Sequence, residues 1–253
     1  MQINLVSRES VLAANPVLAR ALYDWQSMCF DPLQDPYFAG QEVWDSDTDR
    51  ELTLTEAKAA EWNAEFEAFC AAQSDRFDPV PPALPKAGFA VAEYLSPSFD
   101  AFAGSIAAPT RRLFGCLGWA QVTMIGASRT PYLEQINDAP GVVDAEQRLL
   151  KAGLTRDYCG AISADPENAA QFLAKFFWLA RCNAAAPNLY VTAPGATVLL
   201  LPCKYGNYHA ETYSDTPTIE ALLHKSGFTL APDGICEERF SETGAIPGRR
   251  LPI

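Results

Sequence analysis

The chain has no C-x-x-C pair, and its seven cysteines, Cys29, Cys70, Cys116, Cys159, Cys182, Cys203 and Cys236, are odd in number and spread almost evenly. That spacing argues against a disulfide framework or a structural zinc site. Most have apolar neighbours, as in Leu113-Phe-Gly-Cys116-Leu-Gly-Trp119, which suits small buried hydrophobes in a reducing compartment, so a cytoplasmic location is expected. Histidine is scarcer still. With His209 and His224 alone, a His-rich catalytic metal site is excluded.

Long apolar runs are missing as well. The most membrane-like stretch, Leu113 to Ala127, is interrupted by Gln121 and Thr123 and falls short of the ~20 residues that a spanning helix needs, so it reads as buried core. The first ten residues lack the basic start and apolar run of a secretory signal. No membrane association is expected.

Phosphate cradles are absent in both the G-x-x-x-x-G-K-[ST] and G-x-G-x-x-G forms, and Gly126-Ala-Ser128-Arg-Thr130 lacks the last glycine of a nucleophile elbow. His209-x-Glu211 lacks the downstream Pro-Cys-x-x-Cys of a zinc deaminase. Asp45-Ser-Asp47-Thr-Asp49-Arg-Glu51 alternates acids as a calcium loop does, but Arg50 stands where the turn glycine belongs. The sequence therefore implies no cofactor and no metal.

What is present is acidity, and it is local. Of a formal net charge of −12, −10 falls between Asp31 and Asp78, where 13 acidic residues face only Arg50, Lys58 and Arg76. A field of that sign repels phosphate backbones and anionic lipid surfaces, which disfavours nucleic-acid binding and permits a basic protein partner.

Asn15-Pro16 followed by Val17, Leu18, Ala21, Leu22, Trp25 and Met28 predicts a helix over 16–29. Residues 30–52, with Asp31-Pro32 and Asp35-Pro36, read as irregular chain. A capping box, Thr53-Leu-Thr-Glu56, predicts a second helix to about Ser74, with at least two of Trp62, Phe66 and Phe69 on its core side. Four prolines between Asp78 and Pro85 mark a linker or a strap across the surface.

Beyond it, strands are expected at Gly88–Leu95, Val122–Ile125, Tyr158–Ser163, Leu189–Thr192, Thr197–Cys203 and Asn207–Tyr213, with edge strands at Thr229–Leu230 and Ile235–Phe240. Helices are expected at Asp144–Ala152, after Asp165-Pro166, and at Pro217–Ser226. The fold class implied is α+β. Residues 1–78 form a mainly helical acidic region, 79–98 the linker or strap, and 99–253 a mixed or antiparallel sheet in β-α-β-β-β-α-β order with helices on one face. The first and last of these regions form either one domain or two.

Two groups of residues are candidates for function. Cys203, His209 and Glu211 bring a thiol, an imidazole and a carboxylate to one hairpin, where Glu211 would orient His209 and His209 would deprotonate Cys203, as in a cysteine-dependent hydrolase or transferase. The plainer account is a polar strand face beside a structural thiol. The second group, Tyr37, Phe38, Trp44, Asp45, Asp47, Asp49 and Glu51, sets exposed aromatic anchors among charges and suits a basic macromolecular partner, such as a toxin or nuclease that the chain neutralises, or a regulatory partner. A non-enzymatic acidic binding protein is the leading expectation.

Overall fold

The computed structural model describes residues 1–33, 36–45, 48–213 and 219–251. Its elements run in the order β1 (Asn4–Val6), α1 (Arg8–Ala14), α2 (Pro16–Cys29), β2 (Glu42–Asp45), β3 (Arg50–Thr53), α3 (Glu56–Gln73), β4 (Gly88–Glu93), α4 (Phe99–Ser105), α5 (Ala107–Cys116), β5 (Val122–Gly126), α6 (Pro140–Lys151), β6 (Ala161–Ala164), α7 (Pro166–Cys182), β7 (Leu189–Thr192), β8 (Val198–Pro202), β9 (Asn207–Thr212), α8 (Ile219–Ser226) and β10 (Thr229–Leu230). Eight strands form one sheet in the order β1-β6-β5-β7-β8-β9-β4-β10, with every neighbouring pair antiparallel. The molecule is thus α+β with a large antiparallel sheet.

Side chains alternate across the strands, so the sheet has two apolar faces. Val122, Met124, Ile162, Val191, Leu200 and Ala210 pack with α4 to α8 in the larger core. Ile125, Ala161, Tyr190 and Leu199 face the other way, against Val17, Leu18, Ala21 and Leu22 of α2. The C-terminal helices lie on one face of the sheet, and α2, from the N-terminal region, covers the reverse side. The stretch read as a linker or strap contributes β4, which lies between β9 and β10.

Helix α7 illustrates how local signals and burial cooperate. Asp165 caps it by accepting a hydrogen bond from the Asn168 backbone N–H at 2.9 Å, and Phe172, Leu173, Phe176 and Phe177 are fully buried beneath the sheet. Asp165→Ala is expected to cost about 1 kcal/mol in urea unfolding; no change would mean that packing alone sets the start of this helix.

Three expectations need correction. Glu42–Asp45 and Arg50–Thr53, expected to be irregular chain, pair as antiparallel strands, with Val43 opposite Leu52 and Trp44 opposite Glu51. That pairing draws Thr53 into β3, so Thr55 caps α3 by accepting from the Lys58 N–H at 3.2 Å. Residues 235–240 add no strand. Pro217 and Asp47 lie outside the described residues, and among the described residues no helix is long and apolar enough to cross a membrane.

Candidate functional sites

The acidic stretch leaves the body of the protein after α2 and returns after α3. Gln26, near the end of α2, holds the returning chain at Asp75: its Oε1 accepts from the Asp75 N–H at 2.8 Å, and its Nε2 donates to Asp75 Oδ2 at 2.9 Å and to the Ala127 carbonyl at 2.7 Å. Arg8 closes the same network with a bidentate pair to Asp75 at 2.8 and 2.6 Å, and both side chains are 3% exposed. Burial alone would raise the Asp75 carboxyl, but the Arg8 hydrogen bonds and charge, with help from Gln26 and Arg129, hold it below the usual carboxylate range.

Between these anchors little is buried. Of α3 only Ala59 and Cys70 are buried, and the aromatic stripe expected to face a core does not do so. Phe69 is 51% exposed and Phe66 is exposed beside it, stacked at 6.4 Å, while Trp62 is half-buried against Tyr37 at 5.2 Å. The reason is simple: among the described residues no apolar layer covers that face. The rings continue towards the body through Phe30, 6.0 Å from Phe69, and Trp25, 5.5 Å from Phe30. They end at a groove of about 1320 Å³ lined by Trp25, Phe30, Phe69, Ile136, Pro187 and Leu251 among others.

The predicted anchors lie on the same excursion. Trp44 is 66% and Phe38 63% exposed, and Tyr37 is partly covered by Trp62. Asp49 and Glu51 are exposed at the hairpin, and Asp45 accepts from Thr48 at 2.7 Å. Trp44 and Glu51 are cross-strand partners on one face of the β2–β3 pair, and Asp45 and Arg50 lie on the other.

The second candidate site sits at the other hairpin. β8 and β9 pair with Leu201 opposite His209, and the turn between them is closed by Gly206 N–H donating to the Cys203 carbonyl at 3.0 Å. Gly206 is required there: its φ is +77°, and a Cβ would come within 2.9 Å of the Phe240 ring. The structure brings Cys203 and His209 together, as the hairpin reading expects, but the third member of the group is Cys236. Ligand-type atoms of these three residues lie within 4.8 Å of one another, and the two sulfurs are 3.2 Å apart. Glu211 is not the orienting group: its Oε1 accepts from Lys86 Nζ at 2.6 Å and its Oε2 from the Tyr213 hydroxyl at 2.8 Å. His209 Nε2 is buried and finds no hydrogen-bond partner among the described residues.

The surroundings favour charge on Cys236. The Cys203 thiol donates to it, which outweighs desolvation, and His209 and Asn207 add to the effect, so Cys236 is held well below the usual thiol range while Cys203 is pushed up. Asn207 Nδ2 lies 3.3 Å from the Cys236 sulfur, and its Oδ1 accepts from Arg239 at 2.7 Å, which fixes the amide orientation. The segment carrying Cys236 is pinned by the buried Arg181–Glu238 pair at 2.6 Å and by Phe240 against Phe99 and Phe102. The sulfurs open onto a cleft of about 490 Å³ lined by Trp25, Tyr190, Tyr205 and Arg249 among others. No signal short of the fold points to Cys236, which lies in the segment expected to be an edge strand.

Comparison with known proteins finds no family model, no curated protein and no solved structure that matches this chain.

Proposed function

We propose that this protein works by binding, and that the excursion between Gln26 and Asp75 is the surface with which it engages a basic protein. The observation that carries this reading is the exposure of the α3 and hairpin aromatics within the stretch that holds nearly all of the net charge. Large contiguous apolar surface is costly to leave in water and marks interaction sites, and buried aromatic anchors supply most interface energy. The surrounding carboxylates select the partner by charge and speed its approach. A basic protein surface is complementary to this excursion on both counts.

An enzymatic reading through Cys203, His209 and Glu211 has less support, because Glu211 is engaged with Lys86 and Tyr213 and the hydrogen bond to Cys236 pushes the Cys203 thiol up.

The test is capture of partners by the intact chain and by a variant carrying Asp45→Asn, Asp47→Asn, Asp49→Asn and Glu51→Gln, each at about 50 and 300 mM salt. The intact chain is expected to retain a basic protein at low salt and release it at high salt, with the variant retaining much less at either. A partner held equally by both chains with unchanged salt dependence contradicts the reading.

A further inference from the structure

We propose that Cys203, Cys236 and His209 form a zinc site with a fourth coordination position open to the adjoining cleft. The donor set is the first argument. Two sulfurs and an imidazole nitrogen are among the ligands that zinc, a borderline-soft cation, takes from proteins, and three protein ligands with one open position is the arrangement of zinc sites that hold water or substrate in the fourth place. Two thiolates and a neutral imidazole also balance the charge of a divalent ion.

The geometry is the second. A tetrahedral zinc with bonds of ~2.3 Å to sulfur sets its two sulfurs ~3.8 Å apart, so Cys203 and Cys236, now at 3.2 Å, need to part by only about 0.6 Å. The third ligand atom already lies within the same cluster.

The third argument is a buried polar atom without a partner. Groups like His209 Nε2 are rare in folded proteins because a buried polar atom without a hydrogen bond is costly, and coordination to a metal removes that cost. The fourth is the outer shell. Arg239 orients Asn207, and Asn207 donates to the Cys236 sulfur, which is the kind of support that fixes a metal ligand and tempers its charge. Cys203 belongs to a hairpin turn held by Gly206, and Cys236 to a segment locked by Arg181–Glu238, so both sulfurs are delivered by ordered chain.

The cleft shares Trp25 and Pro187 with the groove to which the α3 rings lead, but the three ligands lie outside the acidic excursion and the titration below does not depend on the binding reading. The experiment is Co²⁺ titration of the full, reduced, chelator-treated chain, followed by optical absorption. One equivalent of Co²⁺ is expected to bind and to give a sulfur-to-cobalt charge-transfer band in the near ultraviolet with the visible bands of tetrahedral cobalt, and one equivalent of Zn²⁺ is expected to displace it. Cys203→Ser, Cys236→Ser and His209→Gln should each weaken binding at least about a hundred-fold, and Asn207→Ala about ten-fold. Cys29→Ser, at an exposed thiol, should leave it unchanged. Circular dichroism identifies any variant that fails to fold, and the wild-type titration decides the matter without one. Absence of the charge-transfer band in the reduced wild type overturns the site, as does a band that survives Cys236→Ser in a folded chain. Added imidazole should shift the visible bands; unshifted bands overturn the open fourth position.

Discussion

Asp75→Asn is expected to destabilise the protein by about 3–5 kcal/mol at neutral pH, because it leaves the Arg8 guanidinium buried without its counter-charge. Against a total stability of about 5–15 kcal/mol this is a large fraction. The loss reaches beyond one pair. Asp75 is where α1, through Arg8, and α2, through Gln26, meet the chain returning from α3 and the segment after β5, where Arg129 adds a longer contact at 3.3 Å. The sign of the pH dependence follows from the direction of the shift. A carboxyl held below its unfolded value contributes full stability above the ordinary aspartate pKa of about 3.9, and that contribution drains away as pH falls through the folded value. Urea unfolding of wild type and variant should therefore show the full gap at pH 7 and a smaller one at about pH 3. A gap of equal size at both values would mean that the Asp75 charge is not what holds the network.

The second large effect concerns binding. Phe38→Ser combined with Trp44→Ser is expected to weaken the basic partner by at least about 30-fold, the equivalent of ~2 kcal/mol for loss of an interface anchor. Stability should stay within about 0.5 kcal/mol per site, because both rings are mostly exposed in the free protein. The pair of readouts matters: lost binding with an unchanged melting curve assigns the rings to the interface, whereas unchanged binding removes them from it. Phe66 and Phe69 form a second strip whose substitution should act in the same direction, since their rings lead from α3 towards the groove at Trp25.

How much of this was legible depended on the range of the signal. Helix α2 begins where Asn15-Pro16 predicts, and β8–β9 forms the expected hairpin, because caps, prolines and strand alternation act within a few residues. The β2–β3 hairpin was hidden because its inward residues are few. Val43 and Leu52 alternate with acids that disfavour strands in isolation, and the cross-strand pairing that joins them is not visible from either run alone. Charges such as Arg8 and Asp75 look like surface residues in a sequence; the pair forms across 67 positions and is visible only in three dimensions.

The candidate sites divide in the same way. Cys203 and His209 are joined by one turn, so the sequence places them together, and Glu211 shares the His209 face by alternation. Alternation does not reveal that Lys86 from the neighbouring segment captures Glu211 first. Cys236 arrives from a loop 33 residues beyond Cys203, a separation no spacing motif describes. Trp62, Phe66 and Phe69 recur at the spacing of one helix face, but the other apolar residues of α3 are spread around the helix, so it is not amphipathic as a whole and no side of it is marked for a core.

The central claim is that the excursion from α2 to α3 is the binding surface, and hydrogen–deuterium exchange on the captured complex tests it most directly. The account predicts slowed exchange over residues 42–73 on complex formation, with the strands around the Cys203–Cys236 cleft unchanged. Protection confined to the cleft and its hairpin, with 42–73 exchanging as in the free chain, would contradict it.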